Sequence, residues 1–477
     1  MKKRHLILFG LLFFLATNIL SQTRYSLSSA VDSALANNNT VKLFKAKVME
    51  MTERKQASVG NYLPKLSLYA GYTYFSDNMK FNTAKIKSSL DDILSKYGVQ
   101  ISNGLYPLPP EINGSIYTTL FNIFQQFPAY DLVIDQQQFP TAQLTLTQPL
   151  FTGGKIIAAS DFSSTRYKTA KIKLKLTENE IIKQTVKEYL GIALLNEVVK
   201  VRRNAVNVIK KDKRVAIKLY AEGIIPKYYL LRADVALQNA ELELQDTENK
   251  LHLAELALKS TLGLPEQEPI ELTDSLKFID FDIDLQTALT EADSLQPLLK
   301  IVDQMKEESE IYKDLKRSKF FPDIFAYARY GFFLKDKPLI MPPWILGVEM
   351  RLNIFNGFKD YHQLEAAKFL TEQAKFAKLE AKDKINLWVN KTVMESKQAK
   401  DKYLKMGTSL KLALQNYQIV SKRFEQGMAT SLEVVDAILA YEGARVKRLS
   451  TLYDYYQALL DLNFATGNPM KIVMNYH

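Results

Sequence analysis

The sequence contains no cysteine among its 477 residues. This absence excludes disulfide bonds, cysteine-based metal sites and a lipid-bearing N-terminal cysteine. Histidine is nearly as scarce, and the four copies are far apart in the chain. No metal-ligand spacing, phosphate-binding loop or nucleophile–base set is present, so we predict no catalytic site, no metal and no cofactor. The histidines are His5, His252, His362 and His477.

Long apolar runs are missing as well. After the N-terminal region, no stretch reaches the roughly 18 uninterrupted apolar residues of a membrane-spanning helix. The one apolar run, residues 5–15, follows Lys2, Lys3 and Arg4 and precedes the small residue Ser21. This order is typical of a secretory signal peptide, so we predict that residues 1–21 are removed. An exported chain without cysteine suits a bacterial periplasm or outer membrane.

Basic residues exceed acidic ones without forming a patch. The formal net charge is +11, and three of these charges belong to the signal peptide. The remaining Lys and Arg residues are scattered along segments of helical pattern rather than grouped with aromatic residues. We therefore expect no nucleic-acid partner.

Proline is absent from residues 155–222 and again from 359–426. Each segment predicts a single helix about 100 Å long at 1.5 Å per residue, whereas helices of globular proteins are typically three to four turns long. After Gly223, apolar residues from Leu230 to Leu258 recur at alternating spacings of three and four. This period of about 3.5 residues indicates a coiled coil.

The chain repeats itself. Gly153, Gly223 and Gly263 each match a glycine 204 positions later in similar sequence. The first of these pairs lies in the segments 150–155 (LFTGGK) and 354–359 (IFNGFK). Upstream, residues 62–64 match 320–322 at an offset of 258, so the first copy carries an insertion. We predict two repeats, 22–263 and 285–477, a linker at 264–284 in an equatorial region, and an insertion at about 77–138.

Each repeat contains two segments in which apolar and polar residues alternate. These segments are 66–74 and 142–147 in the first copy, and 324–332 and 344–354 in the second. The period of two, with one apolar and one partly charged face, is typical of membrane barrel strands, although a soluble sandwich has strands of similar pattern. Four strands cannot close a barrel, so other subunits must complete it. In the last strand the apolar face comprises Trp344, Leu346, Val348, Met350, Leu352 and Ile354, and the opposite face Glu349, Arg351 and Asn353.

The mature chain resembles the outer-membrane efflux protein (TolC-like) family in the segments 150–155 and 354–359, where a strand passes into a helix. It also resembles the family in its glycine turns and in the lengths of its segments. The resemblance implies an α+β membrane protein and a homotrimer. Four strands per subunit would form a 12-stranded β-barrel in outer-membrane lipid, continued by a coiled-coil-like helical barrel in the periplasm. It implies an exit duct rather than an enzyme, working with a periplasmic adaptor and an inner-membrane transporter in efflux or type I secretion. A periplasmic coiled-coil adaptor or structural protein is the alternative.

The resemblance also implies a gate where the helices turn, at Gly223 and Gly427. Family members carry acidic residues six and nine positions after the second glycine. Glu433 and Asp436 hold these positions here. Phe424 stands where the family has a tyrosine that helps to hold the closed state, and Tyr229 replaces an acid in the first copy. Thr430 and Glu433 also have the spacing of a helix-capping box, so a purely structural role for Glu433 stays open.

Two further features carry alternatives. Gly153, Gly154 and Gly357 lie where strands become helices, and we expect structural corners there rather than an anion site. The insertion joins the first two strands and should be an extracellular loop. It contains a helix-like piece at 88–97, a proline break at 107–110 and an aromatic stretch at 116–130. It forms either a self-packed surface loop or a lid over the pore.

Overall fold

In the computed structural model, the chain divides into two compact units. The structure describes residues 23–82, 131–134, 137–281, 283–332, 342–426 and 428–476, together with isolated positions between 85 and 126. One unit, which is mostly helical, comprises residues 23–58, Ile157–Arg317 and 357–476. The other contains the main sheet and comprises Val59–Ile156 and Ser318–Asn356. The predicted signal peptide lies outside the described residues.

The sheet unit contains four antiparallel strands in the order β2-β5-β7-β8. They are β2 (Lys65–Tyr74), β5 (Gln138–Thr152), β7 (Asp323–Phe332) and β8 (Trp344–Arg351). A second antiparallel pair, β3 (Met79–Asn82) with β4 (Asp131–Ile134), lies within the predicted insertion. The described positions from 88 to 96 are helical, but the proline break at 107–110 and most of 116–130 lie outside the described residues.

The strand register aligns the apolar positions of all four strands. Leu68, Leu144, Tyr330 and Trp344 form one row across the sheet. The next row on the same face contains Leu66, Leu146, Ala328 and Leu346. Because alternate residues share a face, these rows belong to one apolar surface. The opposite face carries polar side chains, including those of Ser67, Thr145 and Arg329.

The last strand is shorter than predicted. β8 ends at Arg351, so Leu352 and Ile354 lie beyond it and the prediction of a strand through Ile354 was wrong. Arg351 pairs with Asp323, the first residue of β7. The residue before Asp323 is Pro322, which has no N–H group to extend the ladder.

The helical unit contains nine helices among the described residues. In the first half of the chain these are α1 (Leu27–Asn37), α2 (Asn39–Val59), α3 (Lys155–Ala221) and α4 (Lys227–Leu262). In the second half they are α5 (Leu285–Leu295), α6 (Pro297–Arg317), α7 (Lys359–Glu425), α8 (Ser431–Ala465) and α9 (Met470–Met474). Helices α3 and α7 have 67 residues each, as their proline-free sequences predict. Among the described residues, none of the helices combines the length and the apolarity that a membrane span requires.

The first helical segment of the chain is interrupted at Asn38. Asn38 adopts extended geometry, with φ −60° and ψ 129°, and separates α1 from α2. Its side chain accounts for the break. Nδ2 donates to the carbonyl oxygen of Thr261, 2.9 Å away, and Oδ1 accepts from the amide of Thr40. Asparagine commonly competes with helical hydrogen bonds in this way.

The linker and the end of the chain pack together in the helical unit. Strand β6 (Ile270–Leu272) pairs in parallel with β1 (Thr23–Tyr25). The largest apolar core contains Leu27, Tyr189 and Leu459, and also Tyr476. The burial of Tyr476 shows that the C-terminal tail is part of this core.

Candidate functional site

The two helix turns have the same hydrogen-bonded closure. Gly223 has a φ of 74°, which glycine adopts at low cost. The amide of Ile224 donates to the carbonyl oxygen of Leu219 at 2.8 Å. In the second turn, the amide of Met428 donates to the carbonyl oxygen of Arg423, also at 2.8 Å. Both bonds close a Schellman-type helix end. Gly427 itself lies outside the described residues.

Glu433 is engaged in a helix cap. Its carboxylate accepts from the backbone amide of Thr430 at 2.6 Å, and the Thr430 hydroxyl accepts from the amide of Glu433. The backbone hydrogen bond from Thr430 is the main cause that lowers the pKa of Glu433. This is the reciprocal capping box that the Thr-x-x-Glu spacing predicted, and it stabilises the start of α8.

Asp436 lies one turn further along α8. It is exposed and, among the described residues, has no hydrogen-bond or ion-pair partner. Its side chain lines a cavity of about 410 Å³ between α4 and α8, and Tyr229 lines the same cavity. Phe424 is not among the described residues that form the walls. The structure therefore brings together two of the four residues predicted for the gate. Apolar walls come from Leu231, Val235, Leu432, Val435 and Leu439, and charged groups from Arg202, Arg232 and Glu243.

The strand–helix corners depend on glycine for different reasons. Gly153 has a φ of 58°, and a Cβ atom there would lie 2.6 Å from the carbonyl oxygen of Ser318. Gly154 and Gly357 also have positive φ, at 88° and 69°, but a Cβ atom at either would meet open space. Phe358 is the one non-glycine residue with positive φ among the described residues. Backbone geometry thus explains these positions, as expected for structural corners.

Ion pairs join the two helices of the first helical hairpin, in addition to apolar contacts between Ile209 and Leu237. Four ion pairs connect α3 and α4, with N–O distances between 2.5 and 3.1 Å. At the positions 204 residues later, α7 and α8 do not carry these pairs, and Tyr417 stacks on Tyr441 instead. The sequence analysis missed this difference, which alternating charge along the two helices could have indicated. The pairs are Lys213–Asp234, Lys210–Glu241, Arg202–Glu243 and Arg203–Glu248.

A second feature that the sequence analysis missed is a row of tyrosine side chains that contact the backbone of the linker. Hydroxyl groups of tyrosines from α8 and the C-terminal end contact alternate carbonyl oxygens from residue 275 to residue 281. Such contacts satisfy backbone groups that no β-ladder would pair. We call these residues the tyrosine row. Its contacts are Tyr476 to Ser275 at 3.0 Å, Tyr456 to Lys277 at 2.6 Å, and Tyr455 to Ile279 and Phe281 at 3.2 and 3.3 Å.

Comparisons with known proteins agree with this architecture. Residues 135–264 match the family model described as outer membrane efflux protein. A curated relative, the cobalt-zinc-cadmium resistance protein CzcC of Cupriavidus metallidurans, is 23% identical over 69% of this chain and 77% of its own length.

Solved structures share the fold at low sequence identity. The Campylobacter jejuni CmeC outer membrane channel superposes with a TM-score of 0.71 at 16% identity, covering 94% of this chain and 89% of its own. The outer membrane protein VceC of Vibrio cholerae gives a TM-score of 0.70 at 16% identity, covering 93% and 96%. The family expected from the sequence is the one whose model matches residues 135–264, and the solved structures that share the fold include outer membrane channels. Over residues 135–264 this chain therefore resembles the outer membrane efflux protein family, and its fold is shared with solved outer membrane channels.

Proposed function

We propose that the chain is one subunit of a homotrimeric exit duct for a tripartite efflux pump or a type I secretion system. Three copies would contribute four strands each to a 12-stranded barrel in the outer membrane. The observation that carries this proposal is the sheet β2-β5-β7-β8. It has one continuous apolar face, and its outer strands β2 and β8 each pair on one side only within the described part of the chain.

A sheet with two free edges cannot remain alone in lipid. Each unpaired N–H or C=O group in hydrocarbon costs several kcal/mol, so membrane sheets close into barrels. Leu346, Val348 and Met350 are exposed on the apolar face and would contact lipid. Arg351 and Glu349 form an ion pair on the other face and would point into the lumen.

The proposed duplication, 22–263 and 285–477 joined by 264–284, is supported by two matching helix junctions. Asn38 caps the end of α4 through the Thr261 carbonyl oxygen. Gln296, 258 positions after Asn38, separates α5 from α6 and donates to the carbonyl oxygens at the end of α8. A glycine with positive φ follows each capped helix, Gly263 in one case and Gly467 in the other. In both cases a Cβ atom would lie under 3.0 Å from the backbone of the opposite junction.

The gate is proposed to lie at the helix turns. Asp436 is the better candidate for an acidic ring, because its carboxylate is exposed and serves no cap. Glu433 is held by Thr430 and would contribute charge while stabilising α8. Tyr229 lines the same cavity as Asp436, so it is suited to modulate access to that carboxylate. Phe424 lacks a hydroxyl and would close the gate by packing alone.

Partners and cargo follow from the family. The duct would receive cargo from an inner-membrane transporter through a periplasmic adaptor. CzcC is named for cobalt, zinc and cadmium resistance, so divalent cations are the first cargo class to test, followed by small organic molecules and polypeptides. The insertion at 77–138 remains a proposed lid or surface loop. The alternative of a periplasmic adaptor gains no support from a sheet with a lipid-compatible face.

The test is purification from outer-membrane fractions followed by electrophoresis and planar-bilayer recording. We expect a trimer that dissociates on heating in detergent and forms cation-preferring channels. A monomer confined to the periplasmic fraction would overturn the proposal and favour the adaptor alternative. A trimer that does not conduct would support the proposed assembly but contradict an open duct. If Asp436→Ala then conducts, the duct is present and is closed at Asp436.

A further inference from the structure

The strand register fixes where the charged side chains of the polar face of the sheet lie. At the strand ends that lead into α3 and α7, Asp323 lies opposite Arg351, and Arg351 also forms an ion pair with Glu349 at 2.9 Å. One basic side chain at this end therefore serves two acids. Farther along the face, Lys65 and Arg329 have no ion-pair partner among the described residues, and the other polar-face positions of the four strands are uncharged.

The side chain of Arg329 is held over an aromatic ring. Tyr327 lies opposite Gly347, and a Cβ atom at Gly347 would lie 2.6 Å from the ring and the hydroxyl oxygen of Tyr327. The ring therefore lies across the glycine, in the space that a side chain would fill. The guanidinium carbon of Arg329 lies over this ring, 5.7 Å from its centroid, which is within the range of a cation–π contact. The glycine thus positions the ring, and the ring positions the cation.

The groups around this guanidinium do not neutralise it. In its own row, Arg329 lies between Thr145 of β5 and Ile345 of β8. Glu349 is the nearest acidic residue of the four strands, at about 14 Å between Cα atoms from the strand spacings. At this distance its field is largely screened in about 0.1 M salt. Lys65 lies about 12 Å from Arg329 on the same face, so two extended basic side chains can contact one multivalent anion.

We propose that Arg329, held over Tyr327 and assisted by Lys65, forms a contact site for multivalent oxyanions on the wall of the lumen. This inference rests on the proposed trimeric barrel, in which the polar face of the sheet lines the lumen. Three copies would repeat the site at one height and form a basic ring. A guanidinium that stacks through its face keeps its N–H groups free to donate to phosphate or carboxylate oxygens. The site therefore acts on anionic cargo, whereas Asp436 at the helix turns acts on cations.

Binding and block by tripolyphosphate test the site. Calorimetric titration of the purified trimer at low salt should detect binding, and tripolyphosphate added on the extracellular side of a planar bilayer should block the current. Arg329→Gln should raise both the dissociation constant and the half-blocking concentration by about tenfold, because a hydrogen bond to a charged group contributes at least that much to affinity. Arg329→Lys keeps the charge but loses the planar group, so its effect should be intermediate.

Arg351→Gln is the matched control, because it removes one positive charge from the same face but from a side chain that is already ion-paired with Glu349. It should change the dissociation constant by less than about twofold, since the field from its position is screened at the distance of Arg329. Gly347→Ala tests the support beneath the cation, because the added methyl group displaces the ring of Tyr327. It should weaken binding of tripolyphosphate without removing a charge, whereas Tyr327→Phe, which keeps the ring, should bind as the unmodified chain does.

Native mass measurement of every variant separates this proposal from the trimer itself. A trimer that binds tripolyphosphate equally well with and without Arg329 would overturn the site while leaving the trimeric duct intact. Equal losses in Arg329→Gln and Arg351→Gln would also overturn it, because the total charge of the lumen would then attract the anion. Monomers of the unmodified chain would instead contradict the proposed function.

Discussion

The side-chain amide of Asn38 lies 2.9 Å from the carbonyl oxygen of Thr261 and caps the last turn of α4. The two residues are more than 200 positions apart, and Asn38 is buried. This single contact both interrupts the first helical segment and fixes it to the end of the coiled-coil helix. Gln296 makes the corresponding contacts at the end of α8.

Replacing Asn38 with leucine should destabilise the helical unit. The substitution leaves the Thr261 carbonyl oxygen without its buried donor, at a cost of about 1–3 kcal/mol. Chemical denaturation followed by helical circular dichroism measures the loss. Asn37→Ala is the matched control, because Asn37 is exposed and its side chain donates to the nearby Ser33 within the same helix. Equal losses in the two variants would contradict a specific capping role for Asn38.

Gly153 and Gly154 should differ in their tolerance of alanine. Both have positive φ, which costs a non-glycine residue about 1–2 kcal/mol. Gly153→Ala additionally forces Cβ within 2.6 Å of the Ser318 carbonyl oxygen, and such overpacking costs about 1–3 kcal/mol more. In thermal unfolding of the two purified variants, the melting temperature of Gly154→Ala should therefore be higher than that of Gly153→Ala. The reverse order would show that the close approach at Gly153 is relieved by a shift of the backbone.

The tyrosine row predicts a loss of stability in alkali. Burial raises the pKa of Tyr476 to about 12 and raises the pKa of Tyr456 as well. The unfolded chain ionises near pH 10, so the folded state holds these protons more tightly. Stability should be constant below about pH 10 and fall as the pH rises towards 12.

Absorbance of tyrosinate at alkaline pH, recorded together with the melting temperature, measures this coupling. Tyr476→Phe removes one ionisable group and should reduce the fall in melting temperature between pH 10 and pH 12. The same variant loses the hydrogen bond to the Ser275 carbonyl oxygen, so it should expose the linker to trypsin, most readily at the nearby Lys277. Tyr220→Phe serves as the control, because Tyr220 is exposed. If the melting temperature of Tyr476→Phe falls with pH as much as that of the unmodified chain, ionisation of Tyr476 does not cause the loss of stability.

Alanine substitutions at Glu433 and Asp436 should have different effects, the first on stability and the second on conduction. Glu433→Ala breaks the capping box and should cost about 0.5–2 kcal/mol. Asp436→Ala leaves the cap intact, so the melting temperature should not change, whereas block by multivalent cations added from the periplasmic side should weaken. Bilayer recordings of both variants at equal salt provide the comparison. If cation block is unchanged in Asp436→Ala, the acidic ring does not lie at this turn.

Local patterns predicted most of the fold. Alternation of apolar residues located β2, β5, β7 and β8, and the absence of proline located α3 and α7. The cap at Glu433 was predictable because both of its residues lie within one helical turn. The helix break at Asn38 was not predictable, since its partner Thr261 is distant in sequence and no proline or glycine marks the break. The tyrosine row was missed for the same reason, and the candidate gate residues remain predictions because an acidic ring requires several subunits.

The different bonding of the two helical hairpins has a consequence for their stiffness. Charge attraction across α3 and α4 is screened over about 10 Å at 0.1 M salt and over about 3 Å at 1 M salt. The stacked rings of Tyr417 and Tyr441 between α7 and α8 carry no such dependence. At rising ionic strength the first hairpin would therefore lose more of the attraction between its two helices than the second.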